Sequence, residues 1–111
     1  MDFDFQSLQA DTVAVFQKID LEYGIPGRAK IDYALVPNGD AADWQAFENA
    51  LTQAGYTVER FESEGYLTAT TQPLSMSLET VWLHEKEVTL LALNFGFSPD
   101  GWGFMGLPPT S

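Results

Sequence analysis

The sequence contains no cysteine. Disulfide bonds, thiolate nucleophiles and zinc sites built on cysteine are therefore excluded, since each of them needs a cysteine sulfur. A chain without cysteine is compatible with a reducing compartment, and we expect a cytoplasmic protein.

Basic residues are few, with five lysines and arginines against 16 aspartates and glutamates, for a net charge of −11. The five are scattered along the chain as Lys18, Arg28, Lys30, Arg60 and Lys86. A nucleic-acid-binding surface needs several clustered cations to replace the counterions of the phosphates. The composition therefore argues against direct nucleic-acid binding, and it favours either solubility alone or a protein partner with a basic patch.

Long apolar runs are also missing. The longest apolar stretch, Leu90–Leu93, is far shorter than the roughly 18 residues that a membrane-spanning helix needs. The N-terminal residues 1–6 are acidic and carry neither a basic region nor an apolar core, unlike a signal peptide. We therefore expect no association with a membrane.

The chain does contain enough apolar residues for one core, with 45% hydrophobic residues that include eight Phe, four Tyr and three Trp. Apolar side chains recur at three- and four-residue steps in the first segment, which predicts an N-terminal helix over 1–23. Its predicted apolar face consists of Phe5, Leu8, Thr12, Val15, Phe16, Ile19 and Tyr23. A linker is predicted over 24–29, because Gly24 and Pro26 end a helix, and a compact domain over 30–107.

Within that domain the patterns predict the element order β-α-β-β-α-β. The strands fall at 30–36, 56–61, 66–71 and within 97–107; Asp40 is the predicted N-cap of the first helix, and Ser75 or Ser77 that of the second. This order is typical of the ferredoxin-like fold, an α+β sandwich in which two helices cover one face of a four-stranded antiparallel sheet. The other face is left for the N-terminal helix, a partner or a second copy of the chain.

Candidate catalytic groups are isolated from one another. His84 is the only histidine, and it lies next to Glu85 and Glu87 on or near the predicted polar face of a helix, so a solvated side chain is expected. A serine–histidine–acid triad needs a nucleophile converging on that ring, and the sequence offers no nucleophile elbow. The carboxylate pairs lie in a terminus, a turn and helix starts or faces, without metal-ligand spacing. The chain is therefore predicted not to be an enzyme, and neither a metal nor a cofactor is expected.

The most distinctive stretch is 95–104, Phe-Gly-Phe-Ser-Pro-Asp-Gly-Trp-Gly-Phe. On physical grounds Ser98–Gly101 predicts a type I turn, with proline at its second position and glycine at its fourth. Trp102 would then pack on the sheet, and Gly103 would mark a bulge or a close backbone approach.

The same stretch carries a resemblance to a known family. Leu91-Ala92, Gly96 and then Asp100-Gly-Trp-Gly103 follow a helix in an order similar to the regulators of ribonuclease activity B, the RraB-type inhibitors of ribonuclease E. Ile31-Asp-Tyr33, Ala54-Gly-Tyr-Thr-Val58 and Leu74-Ser-Met-Ser-Leu78 add weaker similarity. The resemblance implies a ferredoxin-like domain in a cytosolic bacterial protein that binds ribonuclease E and damps RNA decay.

The residues predicted to bind a protein partner are Asp100, Gly101, Trp102, Gly103 and Phe104, since tryptophan and other aromatic side chains often anchor interfaces. Burial of Trp102 in the core is the competing interpretation. Two other functions remain open: an interaction or homodimerisation domain with a different partner, unconnected with RNA decay, and an enzyme or small-ligand domain. The last of these would need a pocket in which polar groups converge.

Overall fold

The computed structural model describes residues 3–106, with the side chains of residues 3–104. Leu107, the predicted end of the domain, lies outside that range, as do Met1 and Asp2 of the predicted helix. Three helices and five strands occur, in order, as α1 (Phe5–Glu22), β1 (Arg28–Pro37), α2 (Trp44–Gln53), β2 (Thr57–Phe61), β3 (Tyr66–Thr70), β4 (Leu74–Ser75), α3 (Leu78–Asn94) and β5 (Phe97–Gly106). The predicted α+β class is confirmed.

The strands form one antiparallel sheet around β1. β5 pairs with β1 over nearly its whole length, β3 and β4 share the opposite side of β1, and β2 pairs with β3. The sequence predicted four strands, and the structure adds a fifth because Leu74 and Ser75 pair with Ala29 and Arg28.

The extra strand forms because Thr71 holds the chain against β1 after β3 has ended. The Ile31 N–H donates to Thr71 Oγ1 at 3.0 Å, and the Thr71 N–H donates to the Ile31 carbonyl at 2.9 Å. Leu74 and Ser75 therefore continue the sheet. α3 begins at Leu78 with Ser77, one of the two predicted caps, as its N-cap.

One core lies between the sheet and the helices α2 and α3. Alternate residues of β1 point into it, as the two-residue period of a strand requires. Its buried members are Ile31, Tyr33, Leu35, Phe47, Leu51, Tyr56, Leu67, Ala69, Val81, Val88, Ala92 and Phe97. Both helices therefore cover the same face of the sheet.

The loop before α2 is anchored to the end of α3, which moves the start of α2. The Asp43 N–H donates to the Phe95 carbonyl at 2.9 Å, and the Asn38 N–H donates to the Gly96 carbonyl at 2.7 Å. Asp43 is the N-cap and accepts from the Ala46 N–H at 3.1 Å. The prediction of Asp40 as the cap is wrong, because these tertiary hydrogen bonds hold residues 38–43 outside the helix.

The predicted turn at Ser98–Gly101 is also wrong, because these residues lie within β5. Leu35 pairs with Pro99 and Ala34 with Gly101, so Asp100 is an extra residue opposite β1 and forms a bulge. Gly101 has a φ of +124°, which a residue with a side chain rarely adopts. A bulge and a turn both need such a permissive residue, so the sequence signal is similar for the two.

α1 packs against α3. Thr12 is the only residue of α1 that is fully buried, whereas Val15 and Tyr23 of the predicted apolar face are exposed. The Thr12 hydroxyl reaches Glu85 of α3, so the helix is attached beside α3 through one polar contact and a few half-buried apolar side chains.

Candidate protein-binding site

β5 divides the predicted site residues between the two faces of the sheet. Trp102 pairs with Tyr33 and Phe104 with Ile31. Cross-strand partners point to the same face, so both aromatic rings lie on the face that α2 and α3 cover. Gly101 and Gly103 lie on the opposite face. The strand therefore does not bring all five predicted residues into one surface.

Trp102 belongs partly to the core and partly to the surface. Its ring stacks on Phe104, with centroids 6.0 Å apart and planes at 22°. Both rings pack against the core cluster and both remain half-buried. An aromatic side chain in this position stabilises the fold and still presents an edge to solvent.

A cleft of about 380 Å³ opens beside Trp102, between α1, α3 and the bulge of β5. We call it the α1–α3 cleft. Its lining consists of Leu8, Asp11, Thr12, Val15, Glu85, Pro99, Asp100, Gly101 and Trp102. Three of the five predicted residues therefore meet here, and Gly103 and Phe104 lie outside the lining.

The cleft combines acidic groups with apolar walls. Asp11, Glu85 and Asp100 come from α1, α3 and β5 in turn, while Leu8, Val15 and Trp102 supply apolar surface. Such a lining suits an amphipathic cationic group, with carboxylates for its charge and apolar atoms for its stem.

Glu85 has the most unusual environment of these residues. Its exposed fraction is 2%, and its Oε1 accepts a hydrogen bond from the Thr12 hydroxyl. Burial raises the pKa of Glu85 above its ordinary value, the Thr12 hydrogen bond opposes that rise, and the charge of Asp11 adds to it. Among residues 3–106 no lysine or arginine forms an ion pair with this carboxylate.

The sequence interpretation missed the part of this site that comes from the helices. The helical pattern places Glu85 on a polar face and Thr12 on an apolar one. A hydroxyl on an otherwise apolar helix face is a signal for a buried polar partner, and this signal would have pointed to Thr12. Nothing in the sequence indicates that Glu85 is its partner.

A second polar cluster joins α3 to the start of β2. The Tyr56 hydroxyl donates to Glu87 Oε1 at 2.6 Å and lies 2.9 Å from His84 Nδ1. Burial, followed by the hydrogen bond to Glu87, raises the pKa of Tyr56. The prediction of a solvated His84 is wrong in part, because the ring is half-buried and contacts the Tyr56 hydroxyl.

Arg60 is the only base with an ion pair among residues 3–106. It pairs with Glu48 and, at 3.0 Å, with Glu62, and its guanidinium lies 5.4 Å from the ring centroid of Trp44.

Among residues 3–106 no cluster of three or more histidine or acidic side chains has a geometry that could hold a metal ion. No helix in this range is both long enough and apolar enough to cross a membrane.

Comparison with known proteins adds one match. The family model for regulator of ribonuclease activity B matches residues 27–104, which comprise all five strands almost completely, with α2 and α3. α1 lies outside the matched range. No curated protein matches the chain.

Proposed function

This chain belongs to the regulator of ribonuclease activity B family, and from that membership we propose that it controls RNA degradation by binding a ribonuclease of the ribonuclease E type. In this proposal it acts in the bacterial cytoplasm by occupying the enzyme, without chemistry of its own. The observation that carries it is the family match over 27–104.

The charge of the chain supports this mode of action. Sixteen acidic residues against five basic ones give a net charge of −11. A ribonuclease needs basic regions to hold its RNA, and an acidic protein is attracted to those regions and competes with the phosphates. Direct binding of RNA by this chain is not part of the proposal, for the same electrostatic reason.

A ferredoxin-like domain is part of the proposal. From β1 onwards, the longer elements follow the order β-α-β-β-α-β, and β4 is a two-residue addition. β1 lies between β3 and β5, with β2 outside β3. This arrangement leaves one sheet face without a helix, and it supports the interpretation that the resemblance suggested.

The contact surface we propose is the bulged end of β5, formed by Asp100, Gly101 and Trp102, with Gly103 and Phe104 holding the strand in place. Asp100 is exposed, and Trp102 presents an edge beside it. An aromatic anchor next to a carboxylate fits a basic protein partner.

The test is a calorimetric titration against the C-terminal half of ribonuclease E from the same organism, at about 50 mM and about 300 mM salt. Binding that weakens at the higher salt supports the proposal, because ions screen the attraction between exposed charges. Asp100→Asn should weaken binding, whereas Asp40→Asn removes the same charge from an exposed loop before α2 and serves as the matched control. Absence of binding at both salt concentrations would refute the proposal.

A second candidate is self-association through the sheet face that α2 and α3 leave open. Phe61 and Tyr66 stack there with centroids 4.7 Å apart, and Thr68 and Asp32 lie on the same face of the sheet. α1 packs on α3 and does not take this position. Light scattering of the purified chain distinguishes the candidates, since a dimer that persists at low concentration would favour this face.

A further inference from the structure

The α1–α3 cleft contains a buried carboxylate without a cation. Glu85 Oε1 accepts from Thr12 and the residue is only 2% exposed, while Oε2 has no hydrogen-bond partner in the described part of the chain. Oε2 is not fully enclosed, because the only enclosed side-chain atom without a partner in that part is Thr89 Oγ1. Glu85 also lines the cleft. An ionised carboxylate removed from water is costly unless a positive group and further hydrogen bonds compensate it. Glu85 therefore presents a poorly hydrated carboxylate oxygen to the cleft, and no basic side chain of the described residues forms an ion pair with it.

The arrangement of the acidic groups favours a large cation over a metal ion. Asp11, Glu85 and Asp100 all line the cleft, but no three acidic groups of the described residues could share one metal ion. A guanidinium group has five donors on a planar frame, so it reaches carboxylates that are too far apart to ligate one ion. It is also less strongly hydrated than an ammonium group and stacks on aromatic rings.

We propose that the α1–α3 cleft binds one arginine side chain of a protein partner, with Glu85 as the main carboxylate and Trp102 beside the stem. The proposal deepens the ribonuclease-binding function and rests on it for the identity of the partner. The volume of about 380 Å³ lies at the small end of the range of roughly 300–1,000 Å³ for ligand pockets, which suits one side chain.

The arginine site is formed jointly by α1 and the domain over 27–104. Asp11, Leu8 and Thr12 lie on α1, outside the matched range of 27–104, whereas Glu85 and Trp102 lie within it. The cleft forms where the added helix meets the matched domain, so the arginine site requires both.

The probe is the peptide acetyl-Gly-Arg-Gly-amide, titrated into the ¹⁵N-labelled full chain at pH 7 and followed by NMR. We expect a saturable shift of the Trp102 indole N–H signal, which a Trp102→Phe variant identifies among the three tryptophans. The matching peptide with citrulline in place of arginine has nearly the same shape without the charge, and it should give no saturable shift.

The variant Glu85→Gln keeps the size of the side chain and an acceptor for Thr12. It should weaken binding of the arginine peptide about tenfold or more, which corresponds to about 1.4 kcal/mol. Glu59→Gln removes one charge from the exposed side of β2 and should leave the affinity unchanged. The proposal is overturned if the arginine peptide gives no saturable shift, if the citrulline peptide binds equally well, or if Glu85→Gln binds as the unchanged chain does.

The peptide titration is independent of the ribonuclease. A charge-dependent shift at Trp102 without any binding of ribonuclease E would retain the arginine site and remove the proposed partner. Ribonuclease E binding that Glu85→Gln leaves unchanged, together with no peptide shift, would retain the partner and remove the site.

Discussion

At the scale of single residues, one side-chain hydrogen bond joins α1 to the rest of the described chain, and it runs from Thr12 to Glu85. The bond connects positions 73 residues apart. Glu85 shares the lining of the cleft with Asp11 of α1 and Asp100 of β5 and acts electrostatically on Tyr33 of β1, and none of these carries a positive charge. The stability of the α1–α3 contact should therefore depend on the protonation of one carboxyl group.

Glu85→Gln is expected to stabilise the free protein at neutral pH. The raised pKa of Glu85 means that the folded state holds its proton more tightly than the unfolded chain does. The stability that Glu85 gains from being protonated is present in full below the ordinary glutamate pKa of about 4.3. It is lost as the pH rises through the higher pKa of Glu85 in the folded protein. Melting temperatures of both proteins between pH 4 and 7 should show the advantage of the variant growing with pH.

The other titratable neighbours of Glu85 are identical in the two proteins, so they cancel in the difference. A gap in melting temperature that stays constant from pH 4 to 7 would contradict the burial of an uncompensated carboxyl group.

Two threonines on the helices have opposite hydrogen-bond environments. Thr12 donates to Glu85, whereas the Thr89 hydroxyl is buried without a partner among residues 3–106. Thr12→Val should cost about 1.5–3 kcal/mol, the value of a hydrogen bond to a charged group. Thr89→Val should stabilise the protein by about 1 kcal/mol, because it removes an unsatisfied buried hydroxyl. Urea denaturation measures both, and equal effects of the two substitutions would refute this distinction.

At the scale of elements, the end of α3 determines where α2 begins and where β5 starts. Gly96 follows the helix with a φ of +82°, and a Cβ placed on it would lie 2.9 Å from the Cα of Ala42 and 3.0 Å from the carbonyl of Ala41. The backbone of the loop before α2 therefore packs directly on this glycine. That contact brings the chain into position for the hydrogen bonds of residues 38 and 43.

Gly96→Ala should destabilise the protein more than a positive φ alone explains. Gly65, in the β2–β3 turn, has a φ of +84°, and a Cβ placed on it would have no atom within 4 Å, so Gly65→Ala should cost about 1–2 kcal/mol. Gly96→Ala carries a similar backbone cost plus an overpacking cost of about 1–3 kcal/mol. Midpoints of urea denaturation compare the two, and equal losses would mean that the loop moves away freely.

At the scale of the whole molecule, the core and the sheet are complete without α1. All core residues belong to the part of the chain from β1 onwards, and the family match begins at residue 27. α1 adds Thr12, half-buried apolar contacts such as that of Phe16, and one wall of the cleft. This division agrees with the sequence-based boundary after residue 23, which stays a prediction.

Removing residues 1–23 should leave a chain that unfolds cooperatively. We expect a loss of about 1–3 kcal/mol, comparable with the burial of one large apolar side chain. Circular dichroism during thermal unfolding measures this, and Glu85→Gln provides the internal control. The stabilisation by Glu85→Gln should disappear in the shortened chain, because water reaches Glu85 once α1 is removed. A shortened chain without cooperative unfolding would show that α1 is part of the folding unit.

Most of the fold was predictable because its signals are local. The alternation of apolar residues along β1, the permissive glycine after α3 and the serine before it indicate elements from neighbouring residues alone. The predictions that were wrong involve competition between local and tertiary contacts. Asp43 replaced Asp40 as the cap because the loop bonds to α3, and Leu74 joined the sheet because Thr71 keeps the chain beside β1.

The sequence by itself determined the acidic charge and the α+β succession of elements, since composition and short-range patterns specify these; the binding role of residues 100–104 stays a prediction. Only the tertiary structure decided that Asp100 forms a bulge, that Trp102 points to the helix-covered face and that Glu85 is buried. Burial depends on which segments meet in space, and Thr12 and Glu85 meet across 73 residues of sequence.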